Sequence, residues 1–96
     1  MITMIIRYRV KKEFVEEAKK RIRGFVTKVK DNEPEILVYE SFQSEKDKQE
    51  FMNYMKFQTE EAEKFHRRTD YYRKFVEILY PLCEREPEFE KLVGFY

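Results

Sequence analysis

The feature that most constrains the fold is a hydrophobic period that changes repeatedly along the chain. Ile2, Met4, Ile6, Tyr8 and Val10 alternate with Thr3, Ile5, Arg7 and Arg9. That period of two predicts a strand over residues 2–10 with one face toward a core. From 12 to 30 the period lengthens. Phe14, Val15, Ala18, Ile22, Phe25, Val26 and Val29 recur at helical spacing, with Glu16, Lys19, Lys20 and Arg23 on the other side. Gly24 weakens this helix by about 1 kcal/mol relative to Ala. Asp31-Asn32-Glu33-Pro34 ends it.

Residues 35–43, EILVYESFQ, and 50–57, EFMNYMKF, return to the strand pattern, and the polar run SEKDKQ between them predicts a hairpin. In the first of these strands Ile36, Val38 and Phe42 share a face with Glu40, while Leu37 and Tyr39 take the other. Thr59 then offers an N-cap, with Glu60 and Glu61 suited to the positive end of a helix dipole. Ala62, Phe65, His66, Thr69, Tyr72, Phe75, Val76 and Leu79 trace a helical stripe. Thr69-Asp70 would cap a second helix equally well, so the stripe fits one kinked helix or two short ones. Pro81 ends the run, and FEKLVGFY at 89–96 predicts a last strand.

The order β-α-β-β-α-β implies an α+β fold: a single domain over 1–96, ferredoxin-like, with an antiparallel sheet and its helices on one face. Such a sheet has a second, bare face. Here that face also carries apolar and aromatic side chains, in a chain that is 17% aromatic. A monomer rarely exposes so much apolar surface, so a homodimer packed sheet against sheet is expected.

Several function classes are disfavoured. The net charge is +1, with both signs interspersed, so no global field draws in nucleic acid or an anionic membrane. RNA-recognition motifs share the element order, but they need a K/R-G-F/Y pattern on the third strand, and EFMNYMKF has no glycine. One cysteine, Cys83, allows no internal disulfide, and with one histidine it forms no zinc-ligand spacing. No apolar run reaches the ~18 residues of a membrane span. The apolar start MITMIIRYRV lacks a basic leader and a cleavage site, so it reads as a strand and the cytoplasm is expected. Many Glu, Lys and Arg with two Gly resemble the composition of thermophile proteins.

The ordered motifs resemble the antibiotic biosynthesis monooxygenase family. Its strongest stretch is an aromatic, S/T-x-E-A, a His, an aromatic-x-x-F segment and Leu-x-Pro-Leu. This chain presents Phe57, Thr59-Glu60-Glu61-Ala62, His66, Thr69, Tyr72, Phe75, Leu79, Pro81 and Leu82 at matching spacing. MITMIIRYRVKKEFVEEA and VYESF resemble the family's first strand and helix and its second strand. The resemblance implies a dimeric α/β barrel. It also implies one of several activities: oxygenation of polyphenols, anthrones or quinols without metal or flavin, haem degradation, or isomerisation of small signalling molecules. The haem-degrading branch uses an Asn, a Trp and a His. Here Arg7 and Phe57 stand at the first two positions and the chain has no Trp, so haem degradation is not expected. Many members carry a glutamate two residues before the aromatic that ends strand three; here it is Met55.

Oxygenation without a cofactor needs an apolar pocket, a base for a phenolic or enolic proton, and a donor for developing negative charge. His66 is the candidate base. Tyr72 lies near the same stripe, Arg7 could stabilise an anion, and Tyr39 and Tyr54 could offer hydroxyls from the sheet. Phe57, Phe65 and Phe75 could form apolar walls. Each has a structural alternative. His66 shares its face with Ala62 and Phe65 and fits a core-edge position. Tyr72 and the phenylalanines fit a core, Arg7 fits an ion pair with a glutamate across the dimer face, and Cys83 fits a small buried hydrophobe. The expected reading is a cofactor-independent monooxygenase for a small electron-rich aromatic. The alternative is a non-catalytic dimeric module that binds a small ligand.

Overall fold

The computed structural model describes residues 1–96. Four strands, β1 (Ile2–Arg9), β2 (Ile36–Gln43), β3 (Glu50–Phe57) and β4 (Glu88–Leu92), form one antiparallel sheet in the order β2-β3-β1-β4. Three helices, α1 (Val15–Asn32), α2 (Glu60–Arg67) and α3 (Asp70–Leu79), cover one face. One-turn 3-10 segments at Lys12–Phe14 and Tyr80–Leu82 lead into α1 and out of α3. The ferredoxin-like α+β arrangement read from the periods is the one observed.

The strand periods sort the side chains as expected. Met4, Ile6, Tyr8 and Val10 of β1 and the residue after it meet Phe51, Met55 and Phe57 of β3 and Tyr39 of β2 in the core, under Ala18, Ile22, Phe25 and Val29 of α1. Tyr8 stacks on Phe51 with ring centroids 5.6 Å apart. Cys83 is buried with this cluster.

The stripe from Ala62 to Leu79 is two helices. The Thr59 hydroxyl accepts from the Ala62 amide at 3.1 Å, and the Thr69 hydroxyl accepts from the Tyr72 amide at 3.2 Å. Each threonine satisfies an amide that has no partner inside its own helix, so the chain turns at Thr69 rather than kinking.

Two expectations need correction. The register of β2 slips between Ile36 and Val38. This bulge adds one residue, so Ile36 packs against the core and Leu37 stands 49% exposed instead of sharing a face with Tyr39. The last strand ends at Leu92 instead of running to 96. Leu92 pairs with Thr3, almost the start of β1, so the sheet offers little further partner beyond it. Val93, Phe95 and Tyr96 are left exposed.

The other face of the sheet has no helix. Ile5 pairs with Tyr54, Tyr54 with Glu40, and Phe42 with Met52 on that face. Phe42 is 48% exposed there. At one end, Arg9 draws together Asp47 (2.7 Å), Glu50 (2.8 Å) and Glu84 (2.9 Å). The bond from Arg9 holds the Asp47 carboxyl below its ordinary pKa. No helix is long and apolar enough to cross a membrane.

Candidate active site

The helical stripe of α1 does not stop at Val29. Position 33 lies one further turn along the line of Ile22, Phe25 and Val29, and it is occupied by a glutamate. The Glu33 amide donates to the Val29 carbonyl at 2.9 Å, which closes the helix with the side chain still turned inward. Glu33 is only 5% exposed. A buried carboxylate needs partners, and two side chains supply them. His66 of α2 places Nδ1 3.1 Å from each carboxylate oxygen. The Tyr71 hydroxyl of α3 donates to the same carboxylate. Burial and the neighbouring Glu33 together raise the Tyr71 phenol above its ordinary pKa, so it stays a donor.

These partners assign the proton on the imidazole. Nδ1–H faces Glu33, so in the neutral ring Nε2 carries the free lone pair. His66 is 2% exposed, and Nε2 has no hydrogen-bond partner although it is fully buried. Rings surround it, with centroids at 5.1 Å (Tyr72), 5.4 Å (Phe57), 5.6 Å (Tyr39) and 5.8 Å (Phe25). A buried base with one nitrogen committed to a carboxylate and the other unpaired is an arrangement able to accept a proton.

Tyr39 and Tyr72 belong both to this cage and to the wall of a cleft between sheet and helices. Tyr8, Asn53 and Tyr80 add polar groups to that wall, and Phe75 and Phe89 add apolar ones. The Asn53 amide oxygen accepts from Tyr8 at 3.0 Å and Ser41 at 2.8 Å. Burial raises the phenol pKa of Tyr8, Tyr39, Tyr72 and Tyr80. At neutral pH all four are uncharged donors. The free volume of the cleft is only about 20 Å³, room for about one water.

The residues singled out from the sequence therefore divide. His66, Tyr72, Tyr39, Phe57 and Phe75 converge on the helix-covered face. Arg7 and Tyr54 stand on the opposite face of the sheet and do not reach them. Arg7 is exposed and pairs at 2.9 Å with Glu90 of β4, inside its own chain. Phe65, 55% exposed, turns outward beside Pro34 and Ile36. Met55, where many relatives place a glutamate, is a core residue 2% exposed. Glu33, Tyr71 and Asn53 were not expected in the site. No cluster of three His, Cys, Asp or Glu side chains could hold a metal ion.

The family model for antibiotic biosynthesis monooxygenase matches residues 1–78. The chain belongs to that family. Solved structures agree on the fold. An antibiotic biosynthesis monooxygenase of 20% identity superposes over the whole of both chains with a TM-score of 0.92. A Caulobacter crescentus protein, provisionally named an antibiotic biosynthesis monooxygenase, is 25% identical over 99% of this chain and 90% of its own, also at 0.92. A conserved protein of Methanosarcina mazei Go1 is 18% identical over 95% of this chain and 89% of its own, at 0.88. Among curated proteins, none matches this chain. At these identities the antibiotic biosynthesis monooxygenase relatives fix the architecture and leave the reaction to be argued from the site.

Proposed function

We propose that this protein is a cofactor-independent monooxygenase for a small electron-rich aromatic of the quinol, polyphenol or anthrone type. The observation that carries the reading is the buried, unpartnered Nε2 of His66, with Nδ1 committed to Glu33. In the anthrone case His66 Nε2 accepts the proton of the enol. The resulting anion passes an electron to dioxygen, and the radical pair combines to form a C–O bond. The neutral phenols of Tyr39 and Tyr72 donate to the developing peroxide anion, which is stabilised more in a dry site than in water. Proton return and loss of water complete the reaction: the ring methylene and dioxygen become a ring carbonyl and water. One oxygen atom enters the product and the other leaves as water, carrying both methylene hydrogens. The substrate supplies all the electrons.

A ring does not fit in about 20 Å³, so substrate entry requires α3 and the β4 side of the cleft, with Tyr80 and Phe89, to move apart. The closed cleft favours a second reading, a non-catalytic module that opens around a small ligand. Oxygen uptake by metal-free protein over a panel of hydroquinones and anthrones separates the two. Uptake above the uncatalysed rate is expected, falling by about 10²–10⁴-fold in His66→Ala, the range for loss of a general base. No uptake across the panel by folded wild type would leave the binding module.

The homodimer belongs to the same proposal. Phe42, with the half-buried Met52 and Tyr54, forms an apolar surface on the sheet face without helices, and a second copy would cover it. Phe42→Glu/Met52→Glu places two carboxylates per chain in that interface. Sedimentation equilibrium should give twice the chain mass for wild type and the single chain mass for the double variant. A wild-type protein that sediments as a monomer would remove the dimer.

A further inference from the structure

On the helical side of the molecule, away from the open sheet face, a groove runs between α1 and α3 and shares Phe25 and Phe75 with the cleft. Its volume is about 540 Å³, within the range of small-molecule sites. On α1 the wall is Lys20, Gly24 and Lys28, spaced i, i+4, i+8 and so on one stripe. Aromatic side chains form the floor: Phe25, Phe75 and Tyr71. Phe25 and Phe75 stack there at 4.0 Å with their planes 5° apart.

Gly24 is otherwise unexplained. It lies inside a helix with no positive φ, and a Cβ built on it meets nothing within 4 Å. Neither backbone conformation nor crowding requires glycine there. Its effect is to keep the groove open midway between two lysines.

The rim is charged in one direction. Lys20, Lys28 and Lys74 have no carboxylate within ion-pair distance, whereas Lys19 and Lys64 pair with Glu16 and Glu61. The one acidic group on the rim, Asp70, is held by Arg73 at 2.9 Å, and Arg21 is held by Glu17 at 2.8 Å. Three unpaired ammonium groups thus surround a flat aromatic floor.

We infer that this groove is a second ligand site, selective for an amphipathic anion: a carboxylate on a planar aromatic body. The rings of such a ligand would lie against Phe75 and Tyr71, with the buried Phe25 stacked on Phe75 beneath, and its charge would be drawn to the lysines on the rim. Tyr71 joins the two sites, because its ring lines the groove while its hydroxyl donates to Glu33, the partner of His66. Occupancy of the groove would therefore bear on the orientation of the buried histidine. The site does not depend on the oxygenase reading and is tested without turnover.

The experiment is calorimetric titration with 2-naphthoate, its neutral isostere 2-naphthamide, and decanoate. Saturable binding of 2-naphthoate is expected, at least about tenfold tighter than either of the others, and weaker at high salt. Gly24→Leu fills the groove where nothing is crowded and replaces glycine with a better helix former, so it should fold at least as well as wild type and lose binding. Lys20→Gln/Lys28→Gln/Lys74→Gln should bind naphthoate no better than naphthamide. Unchanged affinity in folded Gly24→Leu, equal binding of naphthoate and naphthamide by wild type, or tighter binding of decanoate would each overturn the assignment. So would absence of naphthoate binding to wild type.

Discussion

Glu33→Ala should lower the unfolding free energy by about 3–5 kcal/mol, because two buried donors lose the acceptor they share. In a domain of this size that is a fall in Tm of more than about 10 °C. The reason is the geometry around the carboxylate. His66 Nδ1–H and the Tyr71 hydroxyl both donate to it, and alanine leaves two buried donors facing a methyl group, each at a cost of about 1–3 kcal/mol. Glu33→Gln should behave differently. Its amide oxygen can accept from Nδ1–H, and its amide N–H can donate to the Tyr71 oxygen, so most of the stability should remain. What glutamine removes is the negative charge that would stabilise an imidazolium formed during proton transfer. Oxygen uptake should therefore fall in Glu33→Gln while its thermal melt stays near that of wild type. Loss of stability without a separate loss of turnover would make Glu33 a structural residue only. Equal stability in all three proteins would show that the buried dyad contributes nothing to the fold.

Glu33 also marks where sequence reading stopped short. The β-α-β-β-α-β order and the inward faces of β1 and β3 were legible because burial acts on alternate strand residues and on helical stripes, and those periods are visible in the side chains themselves. The family motifs rest on the same elements. Glu33 was hidden because Asp31-Asn32-Glu33-Pro34 has the composition of a helix terminus. The stripe of Ile22, Phe25 and Val29 points at position 33, but a carboxylate there is intelligible only once His66 and Tyr71 arrive from α2 and α3. Such a contact leaves no local period. The β2 bulge was illegible for a similar reason, since one added residue changes no local propensity.

The placement of Arg7 and Tyr54 is a different case. Alternation along β1 already puts Arg7 on the face away from Tyr8, and Asn53 and Met55, which flank Tyr54, point into the core. The strand period thus separates Arg7 and Tyr54 from His66, although their side-chain chemistry would suit the same site. Phe65 shows the helical equivalent. One residue turns a helix by about 100°, so a neighbour of a buried His66 need not share its surroundings.

The buried tyrosines should make the protein unusually sensitive to alkali. Tyr8 and Tyr39 are 2% and 3% exposed, and burial, the largest cause for each, raises both phenols well above their ordinary pKa. In the unfolded chain each would ionise near ~10. Below that pH both states hold the proton and stability is at its full value. Above it the unfolded chain gives up protons that the folded protein keeps, so stability falls by about 1.4 kcal/mol per pH unit for each such tyrosine. Tyr8 and Tyr39 together make that roughly 3 kcal/mol per pH unit between about pH 10 and 12. Absorbance of phenolate at about 295 nm, followed alongside circular dichroism, reads both quantities. The buried pair should ionise only as the dichroism collapses. Tyr39→Phe removes one contributor, and the pH slope of its unfolding free energy should be shallower by about 1.4 kcal/mol per unit. If all seven tyrosines titrate together near their ordinary pKa while the secondary structure persists, the phenols around His66 are solvated. They could not then act as neutral donors in a water-excluded site.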